Sequence, residues 1–144
     1  MMKLLYAASV TALVTVPTLA ASQSFERESY TLPVTQIDAD SFEVTEADGA
    51  GGSQMWCAAG LYARKALGLW KADLSIEVPR GPSPTMPGRQ GVVFTVAPAV
   101  DTTSSLFAGT RQAGQTFSVG HANAICSQYY AFRIRTGPNT LIRK

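Results

Sequence analysis

The chain has 144 residues, of which 46% are hydrophobic, 9% aromatic and 15% charged, and its formal net charge at pH 7 is +2. This length suits one small domain with its own core and excludes a two-domain enzyme. The low charge and the spread of aromatic residues exclude a disordered chain, a collagen and a coiled coil. We therefore expect a single small globular domain.

The first residues have the pattern of an export signal. A positive start at Lys3 is followed by the uncharged residues 4–16 and then by Pro17 and small residues. This order is typical of a secretory signal peptide, and the apolar run is shorter than the roughly 20 residues that a transmembrane helix needs. The sequence predicts a signal peptide over residues 1–20 and an exported domain over residues 21–144. We expect this domain to be periplasmic or secreted, with no membrane span in the mature chain.

The first half of the exported domain is predicted to contain two strands and one helix. Alternation of apolar and polar residues predicts strands over residues 25–34 and 41–45. After a glycine-rich break, apolar residues recur at helical spacing from Met55 to Leu69, with Ser53 as the expected N-cap. Many residues on this helical stripe are small, so we expect the helix to lie close against a sheet.

The second half is predicted to be mostly strands. They cover residues 74–78, 92–96, 117–119 and 132–135. Residues 79–91 hold four of the eight prolines and predict a long loop, whereas residues 121–130 fit a helix and a strand about equally well. This order favours an α+β fold, in which a mainly antiparallel sheet is packed on one face by one or two helices in a single small domain.

Cys57 and Cys126 are the only two cysteines, and both lie in the predicted mature chain. Two thiols of one exported domain usually pair in an oxidising compartment. The disulfide would close a long loop and stabilise the fold by roughly 4 kcal/mol on the chain-entropy estimate. We expect it to tie the first helix to the C-terminal segment.

Charge is unevenly distributed along the chain. Residues 21–48 contain seven acidic residues and one basic one, whereas residues 49–144 contain three acidic and ten basic ones. The basic residues occur singly or in pairs rather than in runs, which argues against nucleic acid as a partner. We expect the acidic strands to fold back against the basic remainder.

A non-enzymatic binding role is the first functional hypothesis, with an unidentified protein or envelope component as the partner. The proline-rich loop offers a stiffened backbone with two cations, and Arg80, Met86 and Arg89 are its candidate binding residues. Cysteines, histidine and carboxylates show no metal-ligand spacing, so no metal and no cofactor are expected.

A cysteine hydrolase is the alternative hypothesis. Gln54-Met55-Trp56-Cys57 resembles the nucleophile region of papain-like cysteine peptidases, where a glutamine, an aromatic residue and a cysteine open a helix. The resemblance implies Cys57 as nucleophile, with His121, the only histidine, as the base. The two hypotheses differ in one observable property, because the hydrolase needs Cys57 as a free thiol.

Overall fold

The computed structural model describes residues 29–98, 102–103, 105–129 and 131–144. The predicted signal peptide and the start of the first predicted strand lie outside these residues. Seven strands and two helices follow one another in the order β1 Ser29–Gln36, β2 Ser41–Thr45, α1 Gly52–Lys65, β3 Asp73–Pro82, β4 Gln90–Thr95, β5 Thr116–Ser118, α2 Val119–Ile125, β6 Ala131–Arg135 and β7 Leu141–Arg143. A single 3-10 turn, Cys126–Gln128, continues α2.

The seven strands form one sheet in the order β5-β3-β4-β2-β1-β6-β7. Every pairing is antiparallel except that of β1 with β6, which is parallel. The predicted α+β fold, a mainly antiparallel sheet with two helices in a single small domain, is confirmed. Strand β1 lies between β2 and β6, so it connects strands β2 to β5 with the C-terminal pair β6 and β7.

The core lies between the sheet and α1. Alternate residues of the central strands point to it and are almost fully buried, as the side-chain period of two requires: Leu32, Val34, Phe42, Val44, Val92, Phe94, Phe132 and Ile134. Residues 55–63 of α1 are all buried, which a helix with many small residues permits. Trp56 is the largest core side chain and contacts Phe94 and Phe117, with ring centroids 4.9 and 4.6 Å away.

The two helices touch at a glycine. A Cβ atom added to Gly60 would lie 2.6 Å from the backbone nitrogen of Asn123 and 2.8 Å from the carbonyl carbon of Ala122. Real Cβ atoms essentially never approach so closely, so only glycine fits here. Cys57 lies one turn away on the same helix and is bonded to Cys126, which directly follows α2. Gly60 therefore allows the two helices to approach closely, and the disulfide bonds them covalently at the same place.

The helix boundaries differ from those predicted. The N-cap is Gly51 rather than Ser53, because the side chain of Gln54 accepts a hydrogen bond from the Gly51 amide at 3.0 Å. The helix ends at Lys65, so Leu69 lies beyond it. Within the segment 121–130, which fitted a helix and a strand equally well, residues 121–125 belong to α2, residues 126–128 form the 3-10 turn, and residue 130 lies outside the described residues.

The predicted long loop over residues 79–91 is wrong in its extent. Strand β3 continues to Pro82 and β4 begins at Gln90, so only residues 83–89 connect them. Two register shifts in the β3–β4 pairing accommodate this extension, and Gly81 faces Gly91 across the ladder. Strand β7 was not predicted, because three residues give too short a pattern to read.

Candidate functional site

Neither cysteine is available as a nucleophile. Cys57 and Cys126 form a disulfide with an S–S distance of 2.08 Å and a Cα–Cα distance of 4.9 Å. Both residues are buried in the core, and no cysteine of the chain is free. The predicted disulfide and its link between the first helix and the C-terminal segment are confirmed. Because the nucleophile of a cysteine hydrolase is a thiolate, the geometry does not support that alternative.

His121 has a structural environment of its own. Its imidazole stacks on Phe117 with ring centroids 4.6 Å apart and an interplanar angle of 12°. Its backbone amide donates a hydrogen bond of 3.1 Å to the Ser118 hydroxyl, which caps α2. The residue is exposed and occupies the first turn of the helix. His121 therefore contributes to the N-terminal cap of α2 and packs on Phe117.

The three predicted binding residues do not form one cluster. Arg80 pairs with the carboxylate of Glu46, and its backbone amide donates to the carbonyl oxygen of Thr110. Arg89 donates to the backbone carbonyl oxygen of the same Glu46 at 2.7 Å. Both arginines therefore attach the β3–β4 hairpin to the end of β2. The carbonyl oxygen of Met86 accepts a hydrogen bond of 3.1 Å from the Arg89 amide, but Met86 lines a different surface, to which neither arginine contributes.

That surface is a groove of about 550 Å³, which we call the β1 groove. Residues 33–36 of β1 form one side, Arg135 at the end of β6 and residues 136–138 after it form the other, and Met86 also lines the groove. The groove exists because the β1–β6 ladder stops at the pair Pro33–Arg135, whereas β1 continues to Gln36. Among the described residues, no strand pairs with residues 34–36 of β1 on the edge that pairs with β6 further back along the strand.

The chain lining the β1 groove combines apolar and charged groups. Pro33, Pro138 and Met86 supply apolar surface, and Arg135 supplies the only charged side chain among the lining residues. Of these, the sequence analysis identified only Met86. Arg135 falls in the strand predicted over residues 132–135, and its alternation with apolar neighbours gives no indication that a groove opens beside it.

A buried carboxylate anchors the loop that carries Met86. Glu43 is fully buried on the face of the sheet opposite the helices, and its Oε2 accepts hydrogen bonds from both the backbone amide and the hydroxyl of Thr85. Its other oxygen, Oε1, has no partner. A Cβ atom on Gly91 would lie 1.8 Å from Oε1, so this glycine gives the carboxylate its space. Thr85 thereby holds the adjacent Met86 in place at the groove.

The acidic residues of the N-terminal part are satisfied mostly by neutral donors. Asp38 accepts from the backbone amides of Asp40 and Ser41, which hold the pKa of its carboxyl below the usual value. Asp48 accepts from the Thr31 amide, and Glu46 forms the only ion pair among the described residues. Strands β1 and β2 pair with β6 and β4 of the basic remainder, and among the described residues the two parts share one ion pair, Arg80 with Glu46. The other described arginines form no ion pair with a described carboxylate.

Two further observations concern the described ranges only. They contain no group of three or more histidine, cysteine, aspartate or glutamate residues placed to hold a metal ion. Their helices are too short or too polar to cross a membrane.

Comparison of the chain with protein-family models, with curated proteins and with solved structures gives no match.

Proposed function

We propose that the protein is an exported, disulfide-stabilised binding module that acts without catalysis by taking an extended segment of a partner protein into the β1 groove. The observation that carries this proposal is the early end of the β1–β6 ladder at Pro33 and Arg135. An extended peptide that lies beside the end of a strand adds to the sheet through main-chain hydrogen bonds. The walls of the groove would then select its side chains.

The shape and chemistry of the groove favour a peptide with a carboxylate and an apolar residue. Arg135 offers a planar guanidinium that binds carboxylates through two hydrogen bonds. Met86 offers a flexible apolar surface that adapts to different side chains. Because Thr85 is attached to the buried Glu43, Met86 is positioned before the partner arrives. This preorganisation reduces the entropic cost of binding.

The test uses peptides selected from a random library against the immobilised exported protein. We expect the selected peptides to shift the amide resonances of residues 34–36 in the protein. We also expect Met86→Asp and Arg135→Ala each to weaken binding about tenfold, as loss of a central anchor does. Leu106→Asp is the matched control, because Leu106 is 97% exposed and does not line the groove. Peptides whose binding survives both groove substitutions would refute the proposal.

Export has its own test, the intact mass of the protein purified from the periplasm and labelled with iodoacetamide. We expect cleavage after Ala20, no label on the denatured protein, and labels on Cys57 and Cys126 only after reduction. An uncleaved chain would remove the exported location from the proposal. A label without reductant would restore the thiol that the hydrolase alternative needs.

A further inference from the structure

We propose that Arg133 of β6 and Arg143 of β7 form a binding site for a phosphate group. The inference does not rest on the β1 groove, whose lining includes Arg135 but neither Arg133 nor Arg143. It starts from the strand register, in which Arg133 and Arg143 are directly opposite each other in the antiparallel ladder. Directly opposed residues project from the same face of a sheet, with Cβ atoms about 5 Å apart.

The face that carries the two arginines is the one opposite the helices. Ile134, next to Arg133, is fully buried and points to the core, so Arg133 must point away from it. Arg135 projects from this same face two residues further along β6. Lys65 of α1 donates a hydrogen bond to the backbone carbonyl oxygen of Arg143 and brings another positive charge to this edge of the sheet.

In the part of the chain that the structure describes, no aspartate or glutamate forms an ion pair with this cluster. The only ion pair there is that of Arg80 with Glu46, so neither Arg133 nor Arg143 has a carboxylate partner. Like charges that face each other directly across a ladder destabilise it. A bound anion would convert this repulsion into attraction.

The site also contains an unsatisfied donor. The Nε atom of Arg133 is buried and has no hydrogen-bond partner among the residues that the structure describes. Buried donors without partners are rare in native proteins, and a bound ion is one of the explanations for them. A cavity of about 440 Å³ lies beside the two arginines and is lined by both of them. Lys144 also lines this cavity, and its ammonium donates hydrogen bonds to the carbonyl oxygens of Cys126 and Tyr129.

A phosphate group fits two opposed guanidiniums better than a carboxylate does. Each guanidinium presents a rigid pair of N–H donors, and a phosphate offers enough oxygen acceptors to meet two such pairs at once. A carboxylate has two oxygens and meets one pair. Free inorganic phosphate and the phosphate monoester of an anionic lipid share this chemistry, so both sources are included in the test.

The experiment measures binding to the full exported chain by calorimetry, first with inorganic phosphate and then with phosphatidylcholine vesicles with and without phosphatidic acid. We expect saturable binding of phosphate, of the phosphatidic acid vesicles, or of both, which identifies the source. Arg133→Gln and Arg143→Gln are each expected to weaken it about tenfold or more, the loss that follows removal of charged hydrogen bonds. Arg111→Gln is the matched control, because Arg111 is an exposed arginine that does not line this cavity.

Thermal unfolding provides a second measurement that a folding defect does not mimic. Without phosphate, Arg143→Gln is expected to unfold at the same or a higher temperature than the wild type, because it removes the repulsion between the two arginines. Phosphate should raise the unfolding temperature of the wild type and of the Arg111 variant only. Equal effects of phosphate and acetate at matched ionic strength, or equal losses in all three variants, would overturn the proposal.

Discussion

Replacing Gly60 with alanine adds one methyl group at a point where α1 and α2 are in contact. Two effects of opposite sign follow. Alanine favours the helix over glycine by about 1 kcal/mol, whereas extra volume in a well-packed interior costs about 1–3 kcal/mol. The contacts at 2.6 and 2.8 Å involve backbone atoms of Asn123 and Ala122, which cannot rotate away as a side chain does. The packing cost should therefore lie at the upper end of its range, about 3 kcal/mol, which leaves a net loss of about 2 kcal/mol after the gain in helix propensity.

Gly120→Ala provides the matched control in the other helix. A Cβ atom there has its nearest neighbour at 3.9 Å, the hydroxyl oxygen of Ser118, so alanine fits without strain. This variant should gain up to about 1 kcal/mol from helix propensity alone. Urea denaturation of the oxidised proteins, followed by the fluorescence of the buried Trp56, gives both free energies of unfolding. A Gly60→Ala protein as stable as the wild type would refute the close contact between the helices.

Three other predictions concern bonds described above. Replacing Cys57 and Cys126 together with alanine should lower the free energy of unfolding by about 4 kcal/mol, as expected for a closed loop with a sequence separation of 69 residues; a loss below about 1 kcal/mol in urea denaturation would contradict this. Thr85→Val should cost about 1–3 kcal/mol by removing a donor to the buried carboxylate of Glu43, whereas Thr85→Ser, which keeps the hydroxyl, should cost less. The pKa of Asp38 is lowered in the folded state, so its stabilisation is present at neutral pH and is lost as pH falls below the ordinary value of 3.8. Asp38→Asn should lack this acid-dependent loss when thermal unfolding is measured as a function of pH, and an unchanged profile would count against it.

The sequence was sufficient to predict the fold class, most of the strands and the disulfide. The sequence of β2 alternates between apolar and polar residues, whereas β4 is a short β-branched and apolar run, and both patterns are strand signals. The pairing of Cys57 with Cys126 followed from the redox compartment that the predicted signal peptide implies. A single sequence is enough to predict these features, because they follow from local residue patterns and from the number of cysteines.

The β1 groove and the arginine pair were not predictable in the same way. The groove depends on where the β1–β6 ladder ends, and the parallel pairing of two strands so distant in sequence leaves no local signal. Arg133 and Arg143 face each other only because β7 pairs with β6, and the three-residue β7 was not recognised. The proline content of residues 79–91 indicated a loop, but register shifts in β3 allow Gly81 and Pro82 to remain in the strand.

The parallel pairing of β1 with β6 has a consequence for the order in which the chain folds. Strand β2 follows β1 closely and pairs with its second half, whereas the first half must wait for the C-terminal segment. During this interval β1 has an open strand edge, which is a template for aggregation. Since Cys126 comes shortly before β6, its oxidation with Cys57 shortens the search of β6 for β1. In a reducing environment the intermediate with the open edge would persist, so thiol oxidation also protects the chain from association while it folds.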